Sequence, residues 1–230
     1  MIAPIAARIS ILSALLVAAL VAGCGSSGGS DSTPASSTTS TAKPKGKPAF
    51  GLGPHLIAPG ELQGFAPSKV GAAKKPLAWL TLGGLAPEGY RKEARRLKNL
   101  GFVAGANEQF DPTGESAAQA VSVVERFKTE AAAKTELATQ VEKTRATSKG
   151  SFVPFKVPGV PNSRGFDLPG PKSDGHNVVF VDGPFYHLVG TGFRKGDKSP
   201  PSREVVIAAV QAMYKRLHGK SSTSQPAPVP

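Results

Sequence analysis

The chain has 230 residues with one cysteine, 28 Lys and Arg against 16 Asp and Glu, and a formal net charge of +12. A single cysteine excludes an intrachain disulfide framework and leaves no set of thiolates for a structural zinc site. The basic excess favours an anionic partner. Because the N-terminus indicates export, we do not expect that partner to be nucleic acid.

Residues 1–23 have the layout of an export signal. One basic residue, Arg8, precedes a mainly apolar run over 9–22, which ends in small residues. The run is shorter than the roughly 20 apolar residues that span a bilayer with ease. We therefore predict a processed signal peptide rather than a permanent membrane helix.

The end of this run, Val21-Ala22-Gly23-Cys24, resembles the lipobox of bacterial lipoproteins. The resemblance implies that Cys24 is diacylated on sulfur and becomes the mature N-terminus, and that it can receive a third acyl chain. Two or more chains suit stable anchoring, because each buried methylene contributes about 0.8 kcal/mol and one chain holds only marginally. An ordinary signal peptide or an uncleaved anchor with an incidental cysteine is the alternative.

The rest of the chain divides into a linker, one domain and a tail. Residues 24–49 follow the signal and consist mainly of Gly, Ser, Thr, Pro, Ala and Lys, a composition typical of a disordered linker. As a flexible coil this linker has a root-mean-square span of about 25 to 30 Å. Residues 50–219 are long enough for one domain with a sizeable core, and 220–230 return to linker composition.

Helix and strand signals follow one another in the first half of the domain. Helical spacing over 87–100 predicts an amphipathic helix that buries Tyr90, Ala94 and Leu97 and ends at Gly101. Strands are predicted at 102–110 and 120–128, joined by a turn at 111–114. In the second strand Val121, Val123 and Phe127 alternate with polar residues, and Glu125 is the exception to the pattern.

The second half contains a helix, proline-rich pieces, a hairpin and a last helix. The Ala-rich segment 129–149 predicts a helix with the buried stripe Ala133, Leu137 and Val141. The segments 152–158 and 163–169 hold too many prolines for central strands and are placed at edges or in loops. The run 176–193 predicts a hairpin around Asp182-Gly183. A helix then begins after Ser202, buries Val206, Ala209, Met213 and Leu217, and ends at Gly219. The predicted fold is α+β, an antiparallel sheet flanked by about three helices.

Three stretches carry a family resemblance: "APGELQGF" at 58–65, the "VERF" strand before the long Ala-rich helix, and "VVFVDGPFYHLVGTGF" before the last helix. They resemble a group of actinobacterial lipoproteins with a single extracellular α+β domain. In outline these are similar to the sensor domains of receptor kinases and to PsbP-type lipoproteins. The resemblance implies a fold class and a compartment, and it supplies no catalytic residues.

No local motif indicates an enzyme or a metal site. The signatures of serine hydrolases, zincins and P-loops are absent from the sequence. A hairpin closed at Gly183-Pro184 places His187 opposite Phe180 and His176 opposite Thr191, so the two imidazoles lie about 13 Å apart and cannot share a metal. We expect each to be a half-buried sheet residue or a surface group. Acids that could converge for glycoside hydrolysis are Glu108, Asp111, Glu115 and Glu125.

One chemical feature is left, the basic face of the helix at 87–100. Its cations are Arg91, Lys92, Arg95, Arg96 and Lys98, offset within the helix only by Glu88 and Glu93. Like charges at this spacing oppose helix formation by a few tenths of a kcal/mol per pair. The face is either a solvated surface or a contact for an anionic partner, such as lipid headgroups, a phosphate-bearing wall polymer or an acidic protein.

These observations together predict a lipid-anchored protein on the extracytoplasmic face of the cell membrane. Its domain is interpreted as a non-catalytic binding or sensing module for an envelope component, with no cofactor and no metal. The alternatives are a structural role in envelope assembly and hydrolysis of envelope glycans.

Overall fold

The computed structural model describes residues 49–82, 87–148 and 151–219. Its centre is one seven-stranded antiparallel sheet with the strand order β1-β2-β3-β7-β6-β5-β4. The strands are β1 (Phe65–Ala73), β2 (Phe102–Pro112), β3 (Gln119–Phe127), β4 (Val153–Phe155), β5 (Arg164–Asp167), β6 (Ser173–Asp182) and β7 (Phe185–Arg194). The α-helices are α1 (Pro76–Leu80), α2 (Arg91–Leu100), α3 (Glu130–Thr147) and α4 (Arg203–His218), with 3₁₀ turns at Ala49–Gly51, Gly53–His55 and Pro87–Tyr90. The predicted α+β class is confirmed.

Both faces of the sheet are covered. We call the face under α4 and the N-terminal segment 50–62 the first face, and the face under α1, α2 and α3 the second face. The strands that lie in the middle of the sheet are therefore buried on both sides, and Ser122 and Val123 on β3 are each 1% exposed or less. Apolar side chains on both faces supply the two halves of the core.

The predicted hairpin and its register are confirmed. β6 and β7 pair with His187 opposite Phe180 and His176 opposite Thr191, and Gly183 adopts a positive φ of 53° in the tight connection. A two-residue connection leaves an antiparallel pair only one register that keeps its apolar residues on the core faces.

The three predicted helices are present at the expected positions. Of the stripe predicted for 87–100, Tyr90 at the end of the 3₁₀ turn and Leu97 in α2 are buried, whereas Ala94 is half-buried. Gly101 ends the helix in the left-handed region at φ 87°. In α4, the buried side chains Val206, Ala209 and Met213 confirm most of the predicted stripe. The stripe predicted for α3 is only partly right: Ala133 is buried, whereas Leu137 and Val141 are half-buried and the buried row also includes Ala132, Glu136 and Thr144.

Two strands differ from the prediction. β1 was not predicted, because Pro67 and Gly71 interrupt its pattern, yet it forms the edge next to β2 with a bulge between Pro67 and Lys69. The sequence predicts an edge strand or a loop at 163–169, but β5 within it pairs with β4 on one side and β6 on the other. Its prolines lie outside the paired residues, so they remove no hydrogen bond from the sheet.

The predicted signal peptide, Cys24, most of the linker and the tail lie outside the described residues. Within the described part of the chain, no helix has both the length and the apolar character needed to cross a membrane.

Candidate functional site

The basic face of α2 is the first part of the candidate site. Leu97 of this helix and Tyr90 just before it pack into the core of the second face. Four exposed cations lie on the outer side of the helix: Arg91, Lys92, Arg95 and Lys98. We call these four residues the basic strip. Arg91 comes within 3.7 Å of Glu88, but both side chains are 69% exposed, so the pair contributes little. Among the described residues, Lys92, Arg95 and Lys98 form no ion pair.

Arg96, the fifth cation of this helix, has a different position. Its guanidinium lies 2.6 Å from Glu93 Oε1 and 2.7 Å from Glu136 Oε2, and Lys143 Nζ lies 2.8 Å from the same Glu93 oxygen. Hydrogen bonds from Arg96 and Lys143 outweigh burial and hold the pKa of Glu93 below its usual range. The network ties α2 to α3, so Arg96 is engaged inside the domain and the strip is carried by a fixed helix.

A buried polar cluster lies beneath this network, on the second face of the sheet. Trp79 on α1 donates its indole N–H to Glu125 Oε1 over 2.6 Å, and Tyr186 lies directly opposite Glu125 across the β3–β7 pair. Burial, together with the negative charge of Glu136, raises the pKa of Glu125 to about 8. Glu125 Oε2 and the Tyr186 hydroxyl have no hydrogen-bond partner among the described residues. The only sign of this cluster in the sequence is Glu125, which interrupts the alternation of its strand.

Three of the four acids considered for glycoside hydrolysis lie on β2 and β3, where the sheet separates them. Glu108 lies opposite Ser122 and belongs to the first face, whereas Glu125 belongs to the second, since successive residues of a strand alternate between faces. Asp111 shares the second face but is six residues from Gly105, the partner of Glu125, which corresponds to about 20 Å along the strand. Burial raises the pKa of Glu108 to about 6, but Glu125, the other acid of this set whose pKa is raised, lies on the opposite face of the sheet.

The histidines also lie apart from any metal-binding arrangement. His176 Nδ1 is 2.8 Å from Asp167 Oδ1, whereas His187 is fully buried and stacks on Phe180 with ring centroids 4.4 Å apart. The expectation that His187 is half-buried or exposed is therefore wrong. The N-terminal segment covers it, with His55 at a centroid distance of 5.7 Å. The described residues contain no group of three or more His, Cys, Asp or Glu side chains that could hold a metal ion.

Comparisons with known proteins add a structural neighbour. No protein-family model matches the chain, and no curated protein matches it. Among solved structures, the extracellular domain of PknH from Mycobacterium tuberculosis is similar at 14% sequence identity and a TM-score of 0.40, over 66% of this chain and 85% of that chain. A likeness at this level assigns no family and no ligand to this chain.

Proposed function

We propose that the chain is a non-catalytic, extracytoplasmic binding module, held at the cell membrane by acyl chains on Cys24, whose basic strip contacts an anionic envelope component. The observation that carries this proposal is the strip itself. Four cations occupy the outer side of one helix, and among them only Arg91 forms an ion pair with a described carboxylate, Glu88 at 3.7 Å. Arg96, the fifth cation of the helix, differs from these four because it forms ion pairs with Glu93 and Glu136.

Electrostatics favours an anionic surface as the partner. Near anionic headgroups each Lys or Arg adds about 1 kcal/mol, an attraction that fades within a Debye length of about 10 Å at 0.1 M salt. Because α2 is fixed by the Arg96 network, the strip presents its charges without first ordering the helix. The two partners that we favour, lipid headgroups and a phosphate-bearing wall polymer, both carry phosphate groups.

Charge reversal within the strip tests the proposal. The mature chain 24–230 is prepared with Cys24→Ser, so that no acyl chain contributes, and is mixed with phosphatidylglycerol vesicles or with purified wall polymer. We expect binding at about 0.05 M salt that is lost progressively toward 0.5 M. Arg91→Glu with Arg95→Glu should abolish binding at every salt concentration while Tyr90, Ala94 and Leu97 keep the helix packed.

The matched control reverses two exposed lysines elsewhere, Lys172→Glu with Lys198→Glu, and should retain most of the binding. Equal binding by the strip variant and the unaltered chain would contradict the proposal, as would no binding of either probe at the lowest salt. A stable protein partner found by cross-linking, without binding to either probe, would instead support the envelope-assembly role.

A further inference from the structure

The start of the domain lies at one particular end of the sheet. Lys74 Nζ is 4.6 Å above the ring of Phe50, and Leu52 and Leu56 pack on Ala104 and Val124, where β2 begins and β3 ends. The linker would therefore join the domain at this end.

A clamp from the C-terminal helix fixes that position. Arg216 on α4 donates hydrogen bonds to the backbone oxygens of Pro54 and Leu56 at 2.5 and 2.7 Å, and it pairs with both carboxylate oxygens of Glu61. The guanidinium of Arg216 therefore binds two backbone oxygens and one carboxylate of the N-terminal segment 50–62 at the same time. Several hydrogen bonds in different directions hold this segment to α4. The point where the linker joins is therefore set by the fold.

The same end of the sheet carries a group of exposed lysines. Lys74 and Lys75 follow β1, Lys98 lies in the last turn of α2, and Lys128 follows β3. The last two are neighbours, because the Lys128 N–H donates to Gly101 O over 3.0 Å and the Gly101 N–H donates to Lys98 O over 3.1 Å. We call Lys74, Lys75, Lys98 and Lys128 the tether-end lysines.

Two carboxylates near this end have partners within the domain. Asp182 at the hairpin tip lies 3.3 Å from His218 Nε2, and Glu130 at the start of α3 lies 2.6 Å from Lys134 Nζ. Among the described residues no carboxylate forms an ion pair with a tether-end lysine. Lys74 Nζ lies over the Phe50 ring, but within the described part of the chain no carboxylate balances the charge of the four ammonium groups.

We propose that this end of the domain docks on the anionic headgroups of the membrane to which Cys24 is anchored, an inference that rests on the lipid anchor proposed above. The linker and the acyl chains keep the lysines close to the membrane surface, so an attraction that is too weak to hold the untethered domain on a vesicle is enough to select an orientation of the tethered one. The occupant is lipid because the chain that leads to the acylated residue departs from this same end. The remaining cations of the basic strip, Arg91, Lys92 and Arg95, then stay open to another envelope component.

Energy transfer from two dye positions tests the orientation. Cys24 is the only cysteine and is acylated under the proposal, so an added cysteine labels one site. Asn99→Cys places the donor at the tether end, and Thr113→Cys places it past the far end of β2, about 30 Å or more away for an 11-residue strand. The acylated full chain is reconstituted into vesicles that contain an acceptor-labelled lipid.

In vesicles rich in phosphatidylglycerol at low salt, we expect higher transfer from residue 99 than from residue 113. The difference should shrink in phosphatidylcholine vesicles and at about 0.5 M salt. Lys74→Glu with Lys75→Glu and Lys128→Glu should remove it while leaving the basic strip intact. The control with the same charge change at the other end, Lys172→Glu with Lys195→Glu and Lys198→Glu, should keep it.

Equal transfer from the two positions in anionic vesicles would overturn the proposal, and so would an unchanged difference in the tether-end variant. Attachment is scored separately by flotation of the vesicles. A chain that does not float contradicts the anchor and this proposal with it, whereas a chain that floats with equal transfer contradicts the orientation alone.

Discussion

Trp79 and Glu125 form a buried hydrogen bond of 2.6 Å between α1 and β3, in which the indole N–H donates to a carboxyl group that is 2% exposed. Burial and the nearby charge of Glu136 raise the pKa of Glu125 to about 8, so this carboxyl group is mostly protonated at pH 7. An acid held neutral in this way has consequences for stability, because the unfolded chain has a carboxyl pKa near 4.3.

Glu125→Gln should flatten the pH dependence of stability above pH 6.5. Between about pH 4.5 and 8 the folded protein keeps a proton that the unfolded chain releases, so the free energy of unfolding falls as pH rises, by at most about 1.4 kcal/mol per pH unit. Glutamine keeps an acceptor for Trp79 and does not titrate. Urea unfolding at pH 6.5, 7.2 and 8.0 measures the slope, and the exposed Glu142→Gln serves as the control. Equal slopes for the Glu125→Gln variant and the unaltered protein would refute this assignment.

His187 should make the protein less stable as pH falls, whereas Glu125 makes it less stable as pH rises. Burial, with the neighbouring His55 and Arg216, lowers the pKa of His187 to about 3, and neither ring nitrogen has a hydrogen-bond partner among the described residues. The imidazole therefore binds a proton in the unfolded chain but not in the folded protein. The free energy of unfolding falls as pH falls from about 6.5 toward 3. His187→Phe removes this proton and leaves no ring nitrogen buried without a partner.

We expect the His187→Phe variant to unfold at a lower pH than the unaltered protein, with a change at pH 7 within about 1.5 kcal/mol because the ring volumes are similar. Fluorescence of Trp79, the only tryptophan, follows the transition. The control His176→Phe loses the 2.8 Å contact with Asp167 and should be less stable at pH 7. An unchanged acid midpoint for His187→Phe would count against the buried neutral imidazole.

Local patterns were sufficient to predict much of the sheet. Alternation identified β3, and the Gly183-Pro184 connection fixed the β6–β7 register, because both signals depend on residues close together in sequence. β1 was missed since Pro67 and Gly71 weaken its alternation, and its pairing with β2 is supplied by residues about 40 positions away. Pairing at that distance leaves no local pattern.

In the candidate site, too, features within one helix could be predicted, whereas contacts between helices and strands could not. Helical spacing identified the outer face of α2, but it also placed Arg96 beside the strip. The inward turn of Arg96 depends on Glu136, which lies on another helix and is 40 residues away. Likewise, the sequence marked Glu125 as irregular, whereas its partner Trp79 comes from a short helix that no pattern indicated. Contacts between elements decide which charged residues remain on the surface.

Arg95 and Arg96 are adjacent in sequence and should respond very differently to substitution. Arg96→Met leaves Glu136, which is 0% exposed, without its cation, and breaking such a buried pair costs about 3 to 5 kcal/mol. Arg95→Met removes an exposed cation and should change stability by no more than about 0.5 kcal/mol. Urea unfolding at pH 7 compares the two. Adding Glu136→Gln to Arg96→Met should recover part of the loss, and similar values for the two single variants would show that the network contributes no net stability.

Cys24→Ser tests the anchor on which the membrane proposals depend. Serine has no thiol for acylation, so the precursor should either persist uncleaved or be cleaved by the ordinary signal peptidase and released from the membrane. Cells grown with radiolabelled fatty acid should show label on the unaltered protein and none on the variant, and fractionation should move the variant's processed form out of the membrane pellet. Ser26→Ala, a change two residues away in the same small-residue stretch, should keep both the label and the membrane fraction. Label on the Cys24→Ser variant at the level of the unaltered protein would rule out Cys24 as the acylated residue, and with it the lipobox interpretation of residues 21–24.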